Sequence, residues 1–247
     1  MSKLCRGVIL LAVNAVITKI SAIFLQPFDI GNMVQGNVPF TLILYASITV
    51  VFHALIMAYL LTGLWEMGRL SPDFLKARKY YSVHGSINVL SSGLLLCIYI
   101  FFVFTKLLGK ALGAEMPDTS EQLQQTMESS IFGAALFGSL AMAIGLYMIY
   151  ALFGFNLLNG IKAVGGRRKI GYRALNTAWL IQIISYVSLT IFSTASLLIF
   201  SENPLPEFVQ TAIGYADIVA RILFAVMFIR MSKKLEPLLA KLETETQ

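Results

Sequence analysis

Residues 40–64 read FTLILYASITVVFHALIMAYLLTGL and contain no Asp, Glu, Lys or Arg. A helix rises about 1.5 Å per residue, so roughly 20 apolar residues cross a hydrocarbon core about 30 Å thick. The apolar run is continuous rather than alternating, and a lone segment in lipid must satisfy its own backbone hydrogen bonds. This stretch therefore predicts a membrane-spanning helix.

Five further stretches share this character. The six predicted spans are about 7–25, 40–64, 80–105, 131–155, 174–200 and 208–231, followed by a tail at 232–247. The whole chain is 57% hydrophobic and 13% charged, whereas soluble domains are roughly 45–50% apolar and about 25% charged. We therefore expect an all-α fold, in which residues 1–247 form a single polytopic membrane helical bundle with six transmembrane helices.

The basic residues indicate how this bundle is oriented. Fifteen of the nineteen Lys and Arg residues fall on the side of the N-terminus, in segments 3–6, 69–79, 162–173 and 230–241. Only Lys106 and Lys110 fall between spans on the other side. The positive-inside rule then places both termini in the cytoplasm. We expect a bacterial inner (plasma) membrane as the location.

The formal net charge of +6 is explained by the same loops. They are short, and they suit contact with anionic lipid headgroups. No RNP, helix-turn-helix or zinc-finger pattern accompanies the charge, so nucleic acid is not an expected partner. The expected partners are the lipid bilayer and either further copies of this chain or other membrane subunits.

Two segments beside the spans are predicted to lie on the membrane surface. Ser71 and Pro72 have the chemistry of an N-cap followed by proline at the first helical position, which predicts a short interfacial helix before the third span. The tail after Lys233 repeats this style with Leu235, Leu238, Leu239 and Leu242, which is typical of an interfacial amphipathic segment.

Charged side chains inside a span indicate function best, because each costs at least about 2.5–3.5 kcal/mol to insert. Asp217 and Arg221 lie near the middle of the sixth span, and their i,i+4 spacing allows an ion pair on one helix face. One interpretation is a neutral structural pair that fixes helix docking. The other is a proton, ion or substrate pathway, with Arg221 as the fixed charge and Asp217 as the switchable group.

Four further polar residues are predicted to lie at the depth of Arg221. Counting residues inward from the cytoplasmic edge brings Asn14, His53, Asn88 and Gln182 into one layer drawn from different helices. Such a layer is typical of a central solute or ion site. Ordinary interhelical hydrogen bonds, worth about 0.6 kcal/mol each, give the same pattern.

Cofactor, metal and catalytic patterns are sparse. A bis-histidine haem b site would use His53 and His84, but on the predicted boundaries these differ in depth by about two helical turns. No other cofactor is predicted. His, Cys and carboxylate residues within the spans are too few for a metal site. Nucleophile–base and paired-carboxylate arrangements are missing, so an enzyme is the less favoured interpretation.

The fourth span carries a ridge of small residues, Ala134, Gly138, Ala141 and Gly145. Ridges of this spacing allow a second helix to approach closely, so we predict a helix-packing interface within the chain or with another subunit.

Three function classes stay open. They are a small transporter or channel-like subunit with a polar site at Asp217 and Arg221, a structural or accessory subunit of a larger membrane complex, and a haem-binding or lipid-active membrane protein.

Overall fold

The computed structural model describes residues 2–24, 38–111, 130–165, 169–199 and 207–245. Six α-helices account for nearly all of these residues. They are α1 (Ser2–Phe24), α2 (Phe40–Met67), α3 (Pro72–Ala111), α4 (Ser130–Gly165), α5 (Lys169–Ile199) and α6 (Glu207–Glu245). The expected all-α architecture is confirmed for the described part of the chain.

Four of the described helices contain segments long and apolar enough to cross a membrane. These segments are Phe40–Met67, Pro72–Ala111, Ala141–Val164 and Thr211–Lys233. They overlap the predicted spans 40–64, 80–105, 131–155 and 208–231, and by length and composition they are compatible with a multi-pass membrane protein. The predicted spans 7–25 and 174–200 fall on α1 and α5, and their membrane crossing stays a prediction.

The predicted separate interfacial helix before the third span is wrong. The predicted start is found, since Ser71 Oγ accepts a hydrogen bond from the Asp73 backbone N–H at 3.3 Å and Pro72 is the first helical residue. The helix then continues without a break to Ala111, because Lys76, Arg78 and Lys79 are helix-compatible residues with no breaker among them. Likewise, α6 extends through the predicted tail to Glu245.

The helices form a closed ring in chain order. Each helix contacts the next one along the chain, and α1 also contacts α6. Neighbours run antiparallel: Lys3 near the start of α1 bonds Glu66 near the end of α2 at 2.6 Å. The start of α1, the end of α2 and the start of α3 therefore share one end of the bundle, which we call the termini end.

The buried hydrophobic core lies in the half of the ring next to the termini end. Its members come from all six helices and include Leu4, Leu64, Phe74, Leu158, Ile161, Leu175 and Phe228. Glycines allow the helices to come close there. A Cβ on Gly63 would lie 2.5 Å from the Leu4 backbone nitrogen, and one on Gly154 would collide with the Trp179 ring. Close contact between the Gly63 and Leu4 backbones thus holds α1 against α2. Packing of the Trp179 indole on Gly154 holds α5 against α4.

Replacing Gly63 with Ala is expected to destabilise the bundle. The added Cβ collides with backbone atoms that no rotamer change can move, and overpacking of this kind costs roughly 1–3 kcal/mol. Gly93→Ala is the matched control, because its Cβ meets no atom within 4 Å, and alanine in a helix interior is favoured over glycine by about 1 kcal/mol. Thermal unfolding in detergent should separate the two variants. Equal melting temperatures would contradict the close approach of α1 and α2.

Candidate functional site

The Asp217–Arg221 ion pair forms within α6, as its one-turn spacing predicts. Arg221 Nε donates to Asp217 Oδ2 at 2.9 Å, and the side chains retain only 18% and 15% of their accessibility for Arg221 and Asp217, respectively. The second carboxylate oxygen, Oδ1, is buried and has no hydrogen-bond partner among the described residues. One oxygen of the carboxylate is therefore paired, and the other has no partner within the described chain.

A polar cavity of about 150 Å³ lies at the centre of the ring. This space holds a few water molecules or one small solute. Side chains from α1, α2, α3, α4 and α6 surround it: Leu11, Asn14, His53, Ile56, Tyr81, His84, Gly85, Asn88, Tyr147, Tyr150 and Arg221. The cavity sits at the inner edge of the core, because Ile56, Tyr81 and Tyr150 belong to both.

His53 joins three helices through hydrogen bonds. Its Nδ1 lies 2.7 Å from Ser92 Oγ on α3, and its Nε2 lies 3.4 Å from Asn14 Nδ2 on α1. Because Ser92 donates its hydroxyl proton to the Asn88 carbonyl at 2.7 Å, it can only accept from His53. The imidazole therefore carries its proton on Nδ1 and accepts from the Asn14 amide.

His84 lines the same cavity from α3. Its Nε2 accepts from Asn88 Nδ2 at 3.0 Å, and its ring stacks on that of Tyr150 with centroids 4.7 Å apart. The proton of the neutral ring then belongs on Nδ1, which is buried.

The haem hypothesis for His53 and His84 stays a prediction. Both rings line the same cavity, but His53 bonds Ser92, which lies about two helical turns along α3 from His84. The Nε2 atom of each ring also has an amide partner, Asn14 for His53 and Asn88 for His84. Ligation of iron through Nε2 would require both of these hydrogen bonds to break. Within the described ranges, no group of three or more His, Cys, Asp or Glu residues is placed to hold a metal ion.

Gln182 lies next to the cavity rather than in its wall. Its Nε2 donates to the Tyr150 hydroxyl at 2.9 Å in a buried contact between α5 and α4. Gln182 and Arg221 both border a second void of about 10 Å³, which is too small for more than one water molecule. Tyr150 also borders this void, so it connects Gln182 to the main cavity.

Below the cavity, on the side of the termini end, five rings form an aromatic cluster: Tyr81, Tyr150, Phe153, Trp179 and Phe224. Trp179 is central, with centroids 4.9 Å from Tyr150, 6.0 Å from Phe153 and 5.3 Å from Phe224, and Tyr81 lies 4.8 Å from Phe153. Such spacings suit offset and edge-to-face packing. These rings separate the cavity from the termini end of the bundle.

The predicted polar layer can now be placed. Asn14, His53, Asn88 and Arg221 line one cavity, Gln182 touches that cavity through Tyr150, and Asp217 pairs with Arg221 from outside the cavity wall. The sequence analysis singled out neither Tyr81 nor Tyr150 as a site residue. Tyrosines within spans also occur in membrane-interface belts, so residue type alone gave no signal for either.

The small-residue ridge of α4 is only partly described. The side chains at positions 134 and 138 lie outside the described residues, Ala141 is exposed, and a Cβ on Gly145 would meet nothing within 4 Å. The α4 glycines that pack tightly are Gly154 and Gly160, whose added Cβ atoms would collide with Trp179 and Phe74. An interface at the ridge with another subunit stays a prediction.

Removing the Tyr150 hydroxyl is expected to weaken the α4–α5 contact. In Tyr150→Phe the Gln182 amide loses its buried acceptor, which costs about 1–3 kcal/mol. Gln182→Leu should cost a similar amount, and the double variant should cost less than the sum, with a coupling of about 0.5–3 kcal/mol. A double-mutant cycle on thermal stability in detergent measures this. Strictly additive effects would show that the two groups do not interact.

Comparison with known protein families, with curated proteins and with solved structures found no match for this chain. The chemistry of the central cavity is therefore the guide to function. Among the described residues, that chemistry consists of one guanidinium, two imidazoles, two amides and three phenols around one cavity, with one carboxylate bonded to the guanidinium.

Proposed function

We propose that all six helices cross the bilayer and that both termini are cytoplasmic, in a bacterial inner membrane. The ring of helices in chain order supports this, because each helix contacts the next one along the chain and α1 contacts α6. Even the shortest helix, α1, has 23 residues, which corresponds to about 34 Å. The concentration of Lys and Arg at the termini end supports the orientation.

Within this arrangement the chain acts as a small proton-coupled transporter of polar solutes. The observation that carries the proposal is the polar cavity at the centre of the ring, with Arg221 in its wall and Asp217 bonded to Arg221. An ion pair whose only role was to neutralise its own two charges would not need a polar cavity beside it. Central cavities near the bilayer midplane are where secondary transporters bind their solutes.

Asp217 is the group that couples a proton to the solute. While it is ionised, it holds Arg221 through the 2.9 Å bond to Nε. Protonation removes the charge that attracts the guanidinium, so Arg221 becomes more available to the cavity. A switch of this kind needs a carboxylate that is not fully satisfied by protein donors, and Asp217 Oδ1 has no partner among the described groups.

The aromatic cluster acts as the closed gate of the state described. Trp179 and Phe153 are each only 1% exposed, and Phe224 is 5% exposed, so tight packing blocks passage toward the termini end. Release on that side requires these rings to separate. Rocking of helix groups around a fixed central site achieves such separation in many transporters.

A second candidate function is that of a subunit in a larger membrane complex. The open face of α4 favours it, because Gly145 has free space beside it and Met142 and Met148 are 62% and 65% exposed. Co-purification with a partner at fixed stoichiometry in mild detergent would support this alternative. A solitary monomer would count against it.

The transport proposal is tested by proton entry into vesicles. Purified protein is reconstituted with the pH indicator pyranine inside, and an inward proton gradient is applied with methanesulfonate, dimethyl sulfone or tetramethylammonium outside as probe solutes. With at least one probe, proton entry should exceed that of empty vesicles. Asp217→Asn should abolish the excess, because its amide does not exchange the coupled proton.

Asp73→Asn is the matched control. Asp73 is also a helical aspartate bonded to a basic neighbour, here Lys76 at 3.3 Å, but it lies at the start of α3 and away from the cavity. Its vesicles should behave as wild type. The transport proposal fails if wild-type vesicles match empty ones with every probe, or if Asp217→Asn leaves the excess unchanged.

A further inference from the structure

We infer that the central cavity binds a small monovalent oxyanion, a carboxylate or sulfonate, on Arg221, and that one proton enters with it onto Asp217. This deepens the proposed function, on which it rests in taking the cavity as a solute site. The charges of the side chains that line the cavity indicate the charge of the solute. The described lining contains one guanidinium and no carboxylate, so its fixed charge favours an anion over a cation.

The donors of the site match an oxyanion. A guanidinium has five N–H donors in a planar fork, and the contact with Asp217 is made through Nε. The amides of Asn14 and Asn88 border the same space, as do hydroxyl-bearing tyrosines. Charge-assisted hydrogen bonds from a guanidinium to an oxyanion are about twice as strong as neutral ones, so Arg221 is the main anchor.

The balance of charge requires the proton. Ionised Asp217 and Arg221 form a neutral pair, and an added monovalent anion would leave one uncompensated negative charge at bilayer depth, where isolated charges are costly. A proton on Asp217 restores neutrality, because the carboxylate becomes a neutral carboxylic acid. The guanidinium of Arg221 then forms its ion pair with the bound anion instead of with Asp217. No bond within the anion is made or broken, and the stoichiometry is one proton per anion.

Asp217 has the geometry to receive this proton. Its Oδ1 is buried and has no partner within the described chain, so protonation there breaks no described hydrogen bond. Other titratable groups face the cavity: His53 from α2, Tyr81 and His84 from α3, and Tyr147 and Tyr150 from α4. The nearest polar groups from α1 and α5 are Asn14 and Gln182, which do not titrate.

Among those groups His84 is the strongest rival for the proton. A second proton on His84 would go to Nε2, where it would stand opposite the Asn88 amide that donates to that nitrogen. His53 already donates from Nδ1 to Ser92 and accepts at Nε2 from the Asn14 amide. A proton added to His53 would therefore place two donors opposite each other.

The experiment is an equilibrium titration of the purified full chain in nanodiscs. The probe is methanesulfonate, which stays ionised, so any proton taken up must go to the protein. Dimethyl sulfone is the neutral control of nearly the same shape, and tetramethylammonium is the cation control. Calorimetry in two buffers of different ionisation enthalpy counts the protons taken up.

For the wild-type chain we expect methanesulfonate to bind about tenfold or more tightly than dimethyl sulfone, the factor that corresponds to a charge-assisted hydrogen bond. About one proton should be taken up per anion, so the affinity should fall by up to about tenfold for each unit rise in pH. Asp217→Asn should bind without proton uptake and with an affinity independent of pH. Asp73→Asn should match wild type.

Two variants that change Arg221 without leaving an unpaired charge separate a loss of anion binding from a loss of folding. Arg221→Lys retains a cation and should retain weakened binding. The double variant Asp217→Asn/Arg221→Gln keeps a neutral hydrogen-bonding pair and should lose methanesulfonate binding. The proposed anion site is overturned if dimethyl sulfone or tetramethylammonium binds as well as methanesulfonate, or if the double variant binds like wild type. Proton uptake that persists in Asp217→Asn and disappears in His84→Gln overturns the role of Asp217.

The two proposals fail in different ways. Coupled binding of methanesulfonate in nanodiscs without excess proton entry into vesicles would reject transport and leave the anion site in place. Excess proton entry that depends on Asp217 but not on an anion would reject the anion site and leave proton-coupled transport in place.

Discussion

The ion pair between Asp217 and Arg221 is the constraint on which the rest of the bundle depends. A charged side chain at bilayer depth must be neutralised and solvated by protein, and one turn of α6 supplies the neutralisation. Solvation of the guanidinium then requires polar groups from other helices. The ring, of which α6 is a member, brings Asn14, His53 and Asn88 to the same cavity as Arg221.

This requirement explains why polar residues of different helices are bonded to one another at the centre. His53 holds α1 and α3 to α2 through the Asn14 amide and the Ser92 hydroxyl, and Gln182 holds α5 to α4 through the Tyr150 hydroxyl. Each bond in a membrane interior is modest, about 0.6 kcal/mol on average. Together they fix the register of the helices along their axes, which lipid-facing apolar contacts do not specify.

The sequence allowed much of the fold to be predicted and less of the site. Long charge-free runs predict helices because lipid leaves the backbone no other choice, whereas the continuity of α3 from Pro72 depends on the absence of a breaker and was missed. Which glycine packs was not predictable either: Gly145 faces open space, and Gly154 receives the Trp179 indole. Glycine spacing looks alike in both places, and only the three-dimensional partner distinguishes them. Tyr150 was missed as a site residue because only its three-dimensional partners distinguish it from the other tyrosines within the helices.

The spacing along α6 links the polar site to the packed half of the bundle. Asp217, Arg221, Phe224 and Phe228 follow one another at intervals of four, three and four residues, which places them on one helix face. Arg221 and Phe224 border the same small void, and Phe224 packs on Trp179 with centroids 5.3 Å apart. A movement of the Arg221 guanidinium away from Asp217 would therefore change the packing of the Phe224 ring, one turn further along α6. The charge at the cavity and the packing of the aromatic cluster therefore both depend on one face of α6.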